Sequence, residues 1–145
     1  SQRDGTPVAL LLCDVDHFKR VNDEHGHAVG DEVLIAMSRL LGHNLRDGDV
    51  LARWGGEEFL ALMPACPLDN ACAVAERIRA TPVDVGTASL TITLSFGVAQ
   101  VHGAADLQAA IARADKALYE AKNGGRNRVS VARSNSPEKM DEIKP

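Results

Sequence analysis

A pair of glycines, Gly55 and Gly56, separates two short apolar segments near the middle of the chain. Residues 49–54 and residues 58–63 each have the length and composition of a β-strand, so we predict a hairpin with these glycines as its link. A two-residue link is typical of a tight primed turn, in which both residues have a positive φ that glycine adopts without steric cost. A link without side chains also leaves its backbone open to a large ligand.

An apolar run at residues 8–13 is typical of a central strand that is buried on both faces. If this strand lies antiparallel to the hairpin, Asp14, which follows the run, meets Glu57, which follows the glycines, at one edge of the sheet. Neighbouring carboxylates repel each other unless a cation lies between them. Magnesium prefers hard oxygen ligands and shares them with substrate phosphates. The sequence therefore predicts a magnesium-dependent phosphate site of the kind used in nucleotidyl transfer.

Periodic patterns cover most of the remaining chain. They predict, in chain order, a helix at 31–41 with Asp31 and Glu32 in its first turn, a helix at 71–80, a half-buried antiparallel strand at 90–98, a helix at 107–121 and a short strand at 128–132. This order predicts an α/β (α+β) fold with a mixed, largely antiparallel central sheet that is flanked by helices. We expect one domain over residues 1–133 and a flexible tail at 134–145.

The composition fits one globular domain of 145 residues, of which 45% are hydrophobic. No apolar run approaches the length of a membrane span and no signal peptide is recognisable, so we expect a cytoplasmic domain without membrane contact. The three cysteines, Cys13, Cys66 and Cys72, lack the spacing of a disulfide framework or a metal site. The net charge of −4 argues against a nucleic-acid polymer as partner but permits a nucleotide ligand.

Several short motifs follow one another in a fixed order. They are Asp14-Val15-Asp16-His17-Phe18-Lys19, Asn22-Asp23, Gly26-His27, Gly30-Asp31, Gly55-Gly56-Glu57-Glu58-Phe59, the run from Ala114 to Lys122, and Gly125-Arg126-Asn127. Together they resemble the GGDEF domain of bacterial diguanylate cyclases, in its GGEEF form, over roughly residues 8–132. The resemblance implies a fold like that of nucleotidyl cyclases and polymerase palms, and condensation of two GTP into cyclic di-GMP with release of two pyrophosphates.

The resemblance also implies a setting for the domain. Similar domains usually begin with a helical segment before the first strand, and we expect that segment to be absent from this chain. They usually follow a sensory or dimerising partner, so we expect this domain to be the C-terminal part of a larger sensor protein, with membrane attachment of that protein left open. Because each domain holds one GTP and the reaction needs two, the resemblance implies a homodimer.

The resemblance assigns metal binding to the carboxylates of Asp14 and Glu57 and the carbonyl of Val15, with two Mg²⁺ ions per site, or Mn²⁺ in their place. Glu57 would also favour deprotonation of the attacking 3′-hydroxyl, and Lys19 would stabilise the departing pyrophosphate. The other implied substrate contacts are backbone N–H groups around His17 and Phe18 for the β- and γ-phosphates, Lys122 and Arg126 for the triphosphate, and Asn22 and Asp31 for guanine. A carboxylate accepts hydrogen bonds from guanine N1–H and N2–H₂, whereas adenine presents acceptors there, so Asp31 favours GTP.

A second site is implied by an RxxD pattern formed by Arg46 and Asp49, which five residues, Val50 to Trp54, separate from the paired glycines. In the resembling family this is the inhibitory site for cyclic di-GMP. Arg46 would stack on or fork to guanine and phosphate, and Asp49 would accept from a guanine edge. Arg77 matches a position that supplies another arginine.

Two other functions remain open. One is a cyclic di-GMP receptor module that uses Arg46 and Asp49 and whose catalytic role is lost or dormant, although the intact candidate catalytic residues argue against it. The other is a magnesium nucleotidyl cyclase or polymerase palm of different specificity. Structural interpretations also exist: Asp14 is compatible with a turn cap after a strand, and Arg46–Asp49 with a solvated salt bridge.

Overall fold

The computed structural model describes residues 5–86 and 90–133, so the predicted tail at 134–145 lies outside the described residues. In chain order the elements are β1 (Val8–Val15), α1 (Phe18–His25), α2 (His27–His43), β2 (Val50–Arg53), β3 (Glu58–Pro64), α3 (Leu68–Ala80), β4 (Leu94–Val101), α4 (Leu107–Asn123) and β5 (Val129–Val131), with one turn of 3₁₀ helix at Ala104–Asp106. Within those described ranges, no helix is both long and apolar enough to cross a membrane.

The five strands form one sheet in the order β2-β3-β1-β4-β5. β1 lies at its centre, antiparallel to both β3 and β4. β2 pairs antiparallel with β3, while β5 pairs parallel with β4. The predicted fold class, a mixed and largely antiparallel sheet with flanking helices, is confirmed.

Hydrophobic side chains pack on both faces of β1, since successive residues of a strand point to opposite faces. Leu11 and Cys13 belong to a core that includes side chains of α2 and α3. Leu10 and Leu12 belong to a second core that includes side chains of α4. Every residue of β1 after Val8 is buried, which confirms the predicted central strand and makes it a rigid base for the residues at its end.

The hairpin link differs from the prediction. β2 ends at Arg53, which pairs with Phe59, and residues 54–57 form the link. The N–H groups of Trp54 and Gly55 both donate to the carbonyl of Glu58, at 2.8 Å and 3.3 Å. Neither linking glycine has a positive φ, so the prediction of a two-residue primed turn was wrong. A wider link reverses the chain without the left-handed conformation, and the backbone here does not itself require glycine.

The strand predicted at 90–98 begins at Leu94 and is buried on both faces, so the prediction of a half-buried strand was wrong. Its small residues resemble those of a half-exposed face, but Gly97 makes room for a helix and Ser95 is buried. A Cβ atom at Gly97 would lie 2.1 Å from the Ala114 carbonyl oxygen of α4, and Ser95 has no exposed surface. The predicted antiparallel pairing holds with β1.

Two helices also depart from the prediction. α1 was not predicted, because in eight residues only Phe18 and Val21 show apolar helical spacing. α2 begins at His27, directly after Gly26 with its φ of 90°, so Asp31 lies in the second turn and not the first. Gly26 therefore joins two consecutive helices, and this junction fixes how α1 packs on α2.

Candidate active site

A cleft of about 610 Å³ lies where β1, the hairpin and α4 end. Eight of the predicted site residues line it: Asp14, Val15, His17, Phe18, Lys19, Glu57, Lys122 and Arg126. They come from segments far apart in the sequence, and the sheet brings them together. Five further residues line the same cleft, namely Asp16, Arg20, Asp23, Glu24 and Glu58.

Strand pairing explains why the acidic residues meet. In the antiparallel register of β1 and β3, Asp14 is the partner of Glu58, and Glu57 precedes it in the link. The predicted convergence of Asp14 and Glu57 at one sheet edge is thus confirmed. Both glutamates line the cleft, and a Cβ atom at Gly55 would lie 3.7 Å from Glu58 Cβ and 3.9 Å from its Oε1. The side chain of Glu58 therefore lies along the hairpin link.

The carboxylate of Asp14 is only 5% exposed, and it accepts a hydrogen bond from the ammonium of Lys122. Burial raises the pKa of the Asp14 carboxyl to about 6; Lys122 opposes the rise, while Glu57 and then Glu58 add to it. Loss of solvation and repulsion by neighbouring acids together outweigh the one ammonium. Further positive charge at this position would favour the ionised carboxylate.

The donor set at this edge suits a hard cation. Among residues 5–86 and 90–133, no three His, Cys, Asp or Glu side chains are arranged as a metal cluster. Asp14, Val15 and Glu57 nevertheless line one cleft, which brings two carboxylates and a backbone carbonyl into one region. Oxygen donors of this kind fit Mg²⁺, which takes few protein ligands and completes its coordination with water and substrate phosphates.

The start of α1 supplies backbone donors to the same cleft. His17 precedes the helix in the left-handed conformation, with a φ of 57°, and its carbonyl accepts the Val21 N–H at 3.2 Å. The first N–H groups of a helix have no acceptor within it and carry partial positive charge. Phe18 and Lys19, which begin α1, line the cleft, so these groups are suited to bind an anion there.

Asp16 has a structural position that the sequence did not reveal. Its buried carboxylate accepts hydrogen bonds from Thr93 Oγ1 at 2.7 Å, Ser95 Oγ at 2.6 Å and the Asn127 N–H at 2.9 Å. With three donors already bound, this carboxylate fixes the loop after β1 to β4 and to the loop after α4. The partners lie at least 77 residues away in sequence, so no local pattern indicates them.

The residues predicted to read guanine lie outside the 610 Å³ cleft. Asn22 packs on Gly30, where a Cβ atom would lie 1.9 Å from Asn22 Oδ1. Asp31 follows Gly30 and lines a second hollow of about 450 Å³ with Leu34, Ile35, Ser38, Arg53 and Phe59. Packing of α1 on α2 therefore places Asn22 beside Asp31, and residues of the hairpin line both cavities.

The three residues of the predicted second site lie around the end of α2. Asp49 accepts hydrogen bonds from Arg46 N at 2.8 Å and Arg46 Nη2 at 3.5 Å, and its side chain is 2% exposed. The Arg46 side chain is 57% exposed, and its Nη2 also donates to the Pro64 carbonyl at 2.7 Å. Arg77 Nε donates to Asn44 Oδ1 at 2.7 Å. Asp49 thus faces inward and holds Arg46, whose guanidinium is open to a ligand.

Carboxylates, ammonium groups and helical N–H donors around one cleft define a domain suited to binding a nucleoside polyphosphate with a divalent cation. The family model described as "Diguanylate cyclase, GGDEF domain" matches residues 1–128. The chain belongs to this GGDEF family, which confirms the resemblance.

Two relatives are similar to this chain in sequence. The chain is 49% identical over 125 residues to diguanylate cyclase DgcM of Escherichia coli K12, covering 86% of this chain and 30% of that protein. It is 44% identical over 132 residues to the response regulator PleD of Caulobacter vibrioides, covering 86% and 29%. The chain thus spans less than a third of these relatives.

Two solved structures are similar over most of their length. The active GGEEF domain of a diguanylate cyclase from Vibrio cholerae has a TM-score of 0.83 and 34% identity, covering 92% of this chain and 88% of that one. The GGDEF domain of DgcB from Caulobacter crescentus, solved in complex with c-di-GMP, has a TM-score of 0.80 and 33% identity, covering 92% and 82%.

Proposed function

We propose that this domain condenses two GTP molecules into cyclic di-GMP and releases two pyrophosphates. The observation that carries the proposal is the 610 Å³ cleft, whose lining includes the carboxylates of Asp14 and Glu57 and the cationic side chains of Lys19, Lys122 and Arg126. The cations match an anionic triphosphate, and the carboxylates match a divalent cation at the phosphate that reacts. Membership in the GGDEF family supports the same activity.

Each candidate side chain of the cleft would have a separate role in the reaction. The 3′-oxygen of one GTP attacks the α-phosphorus of the other, and the bond from that phosphorus to the bridging oxygen breaks, so that pyrophosphate leaves with the electron pair. Glu57 favours removal of the proton from the attacking hydroxyl. Lys19 and the N–H groups at the start of α1 neutralise the charge on the leaving pyrophosphate. Lys122 and Arg126 hold the triphosphate from the end of α4.

The cleft would also supply the ligands for a metal. The carboxylates of Asp14 and Glu57 and the carbonyl of Val15 would hold Mg²⁺ or Mn²⁺, two ions per site. When bound, such ions polarise the α-phosphate and acidify the 3′-hydroxyl. Burial raises the pKa of the Asp14 carboxyl to about 6, and a cation bound there would favour its ionised form.

Base selection and dimerisation complete the proposal. Asn22 and Asp31 bind the guanine edge away from the phosphates, and the Asp31 carboxylate selects against adenine. Because one cleft holds one GTP, two domains face each other in a two-fold dimer. In each half-reaction the GTP of one domain supplies the 3′-hydroxyl, and the GTP of the other supplies the α-phosphate and loses pyrophosphate.

The direct test is product analysis after incubation of the protein with GTP and Mg²⁺. Chromatography and mass spectrometry should show cyclic di-GMP and two pyrophosphates per molecule formed, and ATP should give no cyclic dinucleotide. Pyrophosphate without cyclic di-GMP, or equal turnover of ATP, would contradict the assignment. Assays over a range of protein concentrations test the dimer, because the specific activity should rise as the dimer forms.

A second candidate function is reception of cyclic di-GMP through Arg46, Asp49 and Arg77, either as feedback inhibition or in a catalytically dormant domain. The observation that favours it is the 57% exposed Arg46 side chain, which Asp49 holds at the surface. A guanidinium in this position can fork to a phosphate or stack on a base. Binding of cyclic di-GMP by a protein that never turns over GTP would favour the receptor; turnover that falls as product accumulates would favour feedback inhibition.

A further inference from the structure

The loop between α4 and β5 has a costly backbone conformation. Gly125, Arg126 and Asn127 have φ angles of 124°, 63° and 48°, and only the first of them is a glycine. Left-handed backbone is unfavourable for arginine and is tolerated somewhat better by asparagine. Surrounding contacts must therefore hold Arg126, which lines the cleft, in this conformation.

One anchor of the loop lies in the sheet. The Asn127 N–H donates to Asp16 Oδ2 at 2.9 Å. The carboxylate of Asp16 is itself fixed by the hydroxyl groups of Thr93 and Ser95. The backbone of Asn127 is thus tied to the end of β1, next to the acidic edge of the cleft.

A second anchor lies on α3. Arg79 Nη1 donates to Asn127 Oδ1 at 3.0 Å, across 48 residues of sequence. Arg79 Nε donates to Glu76 Oε1 at 2.5 Å one helical turn earlier, and its side chain is 26% exposed. The contact with Glu76 fixes the orientation of the Arg79 guanidinium, so that its other N–H groups point toward Asn127.

We propose that Arg79 is a positioning residue for the substrate triphosphate. Arg79 hydrogen-bonds the side chain of Asn127, while Asp16 hydrogen-bonds the backbone N–H of the same residue. Together these two contacts keep Arg126 directed at the cleft. Arg79 is not among the residues that line the cleft, so it acts through Asn127. The inference rests on the proposed function for its ligand, while the part that concerns loop order can be tested without any ligand.

The ligand-free test is amide hydrogen exchange, measured by NMR, in the wild type and in Arg79→Met, which keeps an aliphatic side chain. Loss of one hydrogen bond should speed exchange of the Asn127 N–H by about five- to tenfold. Arg39→Ala removes the same charge from an exposed position of α2 and should leave that exchange unchanged. Equal exchange in Arg79→Met and wild type would overturn the proposal.

The binding test uses calorimetry with Mg²⁺ and a GTP analogue whose α,β-bridging oxygen is replaced by methylene, and with GMP, which lacks the β- and γ-phosphates. Arg79→Met should lower the affinity for the analogue by about three- to tenfold and leave the affinity for GMP within about twofold of the wild type. In an Asn127→Gly background, which removes Oδ1 and accepts a positive φ, the same change should have no further effect.

The positioning role would be overturned if Arg79→Met lowered the affinity for the analogue equally in the wild-type and Asn127→Gly backgrounds, or if it lowered the affinity for GMP as much as that for the analogue. Failure of the wild type itself to bind the analogue would contradict the proposed function, while the exchange measurement would still decide whether Arg79 orders the loop.

Discussion

Replacement of Gly56 by alanine separates two reasons for which a chain keeps a glycine. Gly56 does not have a positive φ, and a Cβ atom there would meet no protein atom within 4 Å. Neither the backbone conformation nor the packing of this chain therefore excludes a methyl group. If GTP approaches the hairpin link during the reaction, the methyl group would instead meet the substrate.

The two expected effects have different sizes. The free energy of unfolding of Gly56→Ala should stay the same or rise by up to about 1 kcal/mol, since alanine restricts the unfolded chain. Turnover of GTP to cyclic di-GMP should fall by at least about 100-fold, because a displacement of reacting groups by about 1 Å has an effect of that order.

Gly97→Ala is the matched control, because its Cβ would lie 2.1 Å from the Ala114 carbonyl oxygen and 2.6 Å from the Leu118 nitrogen. Backbone atoms of α4 cannot rotate away, so this variant should lose at least about 3 kcal/mol of stability. Urea unfolding and product chromatography on both variants provide the assay. Near-normal turnover by Gly56→Ala would refute the reasoning about substrate approach, and clear destabilisation would show that the glycine has a structural role.

Three other predictions concern separate parts of the molecule. Arg113 forms two hydrogen bonds to Asp106 and lowers the pKa of that carboxyl. The ionised Asp106 carboxylate therefore stabilises the folded state at pH values above its unfolded pKa, and this stabilisation is lost as the pH falls through its folded pKa. Asp106→Asn should thus lose about 1–2 kcal/mol at pH 7, and unfolding curves should show this deficit shrinking below about pH 4. Arg46→Ala should weaken cyclic di-GMP at the second site by at least about tenfold in calorimetry, whereas Arg39→Ala should not; equal affinities would remove Arg46 from that site. Asp31→Ser should lower the preference for GTP over ATP by at least about tenfold in competition assays, and an unaltered preference would favour a cyclase of other specificity.

Patterns of burial made the position of the acidic pair predictable. An apolar run as long as residues 8–13 indicates a central strand, and a neighbouring hairpin can then pair with it antiparallel. The observed register, with Asp14 opposite Glu58, follows from those two features. Once the strands were recognised, the meeting of Asp14 and Glu57 required only that their ends lie at one edge.

Features that the local pattern leaves open, or that depend on distant partners, were not predictable. The Gly-Gly link is compatible with either a tight or a wide turn, and hydrogen bonds to the Glu58 carbonyl select the wide one. Ser95 and Gly97 alternate with apolar residues as in a half-exposed strand, yet Ser95 is fully buried and α4 covers Gly97. The contacts of Asp16 with Asn127, and of Asn127 with Arg79, join segments 111 and 48 residues apart. Such pairings arise from the tertiary fold and leave no periodic pattern.

The central claim is that the acidic edge of the cleft converts GTP to cyclic di-GMP, with Glu57 as the glutamate that takes part. The most direct measurement is the initial rate of cyclic di-GMP formation from GTP and Mg²⁺ by wild type, Glu57→Gln and Glu58→Gln. We predict a loss of about 1,000-fold for Glu57→Gln. For Glu58→Gln, whose altered side chain lies along the hairpin link, we predict a loss within about tenfold. A Glu57→Gln variant that retains wild-type turnover, or a wild type that binds GTP and Mg²⁺ but forms no cyclic di-GMP, would contradict the account.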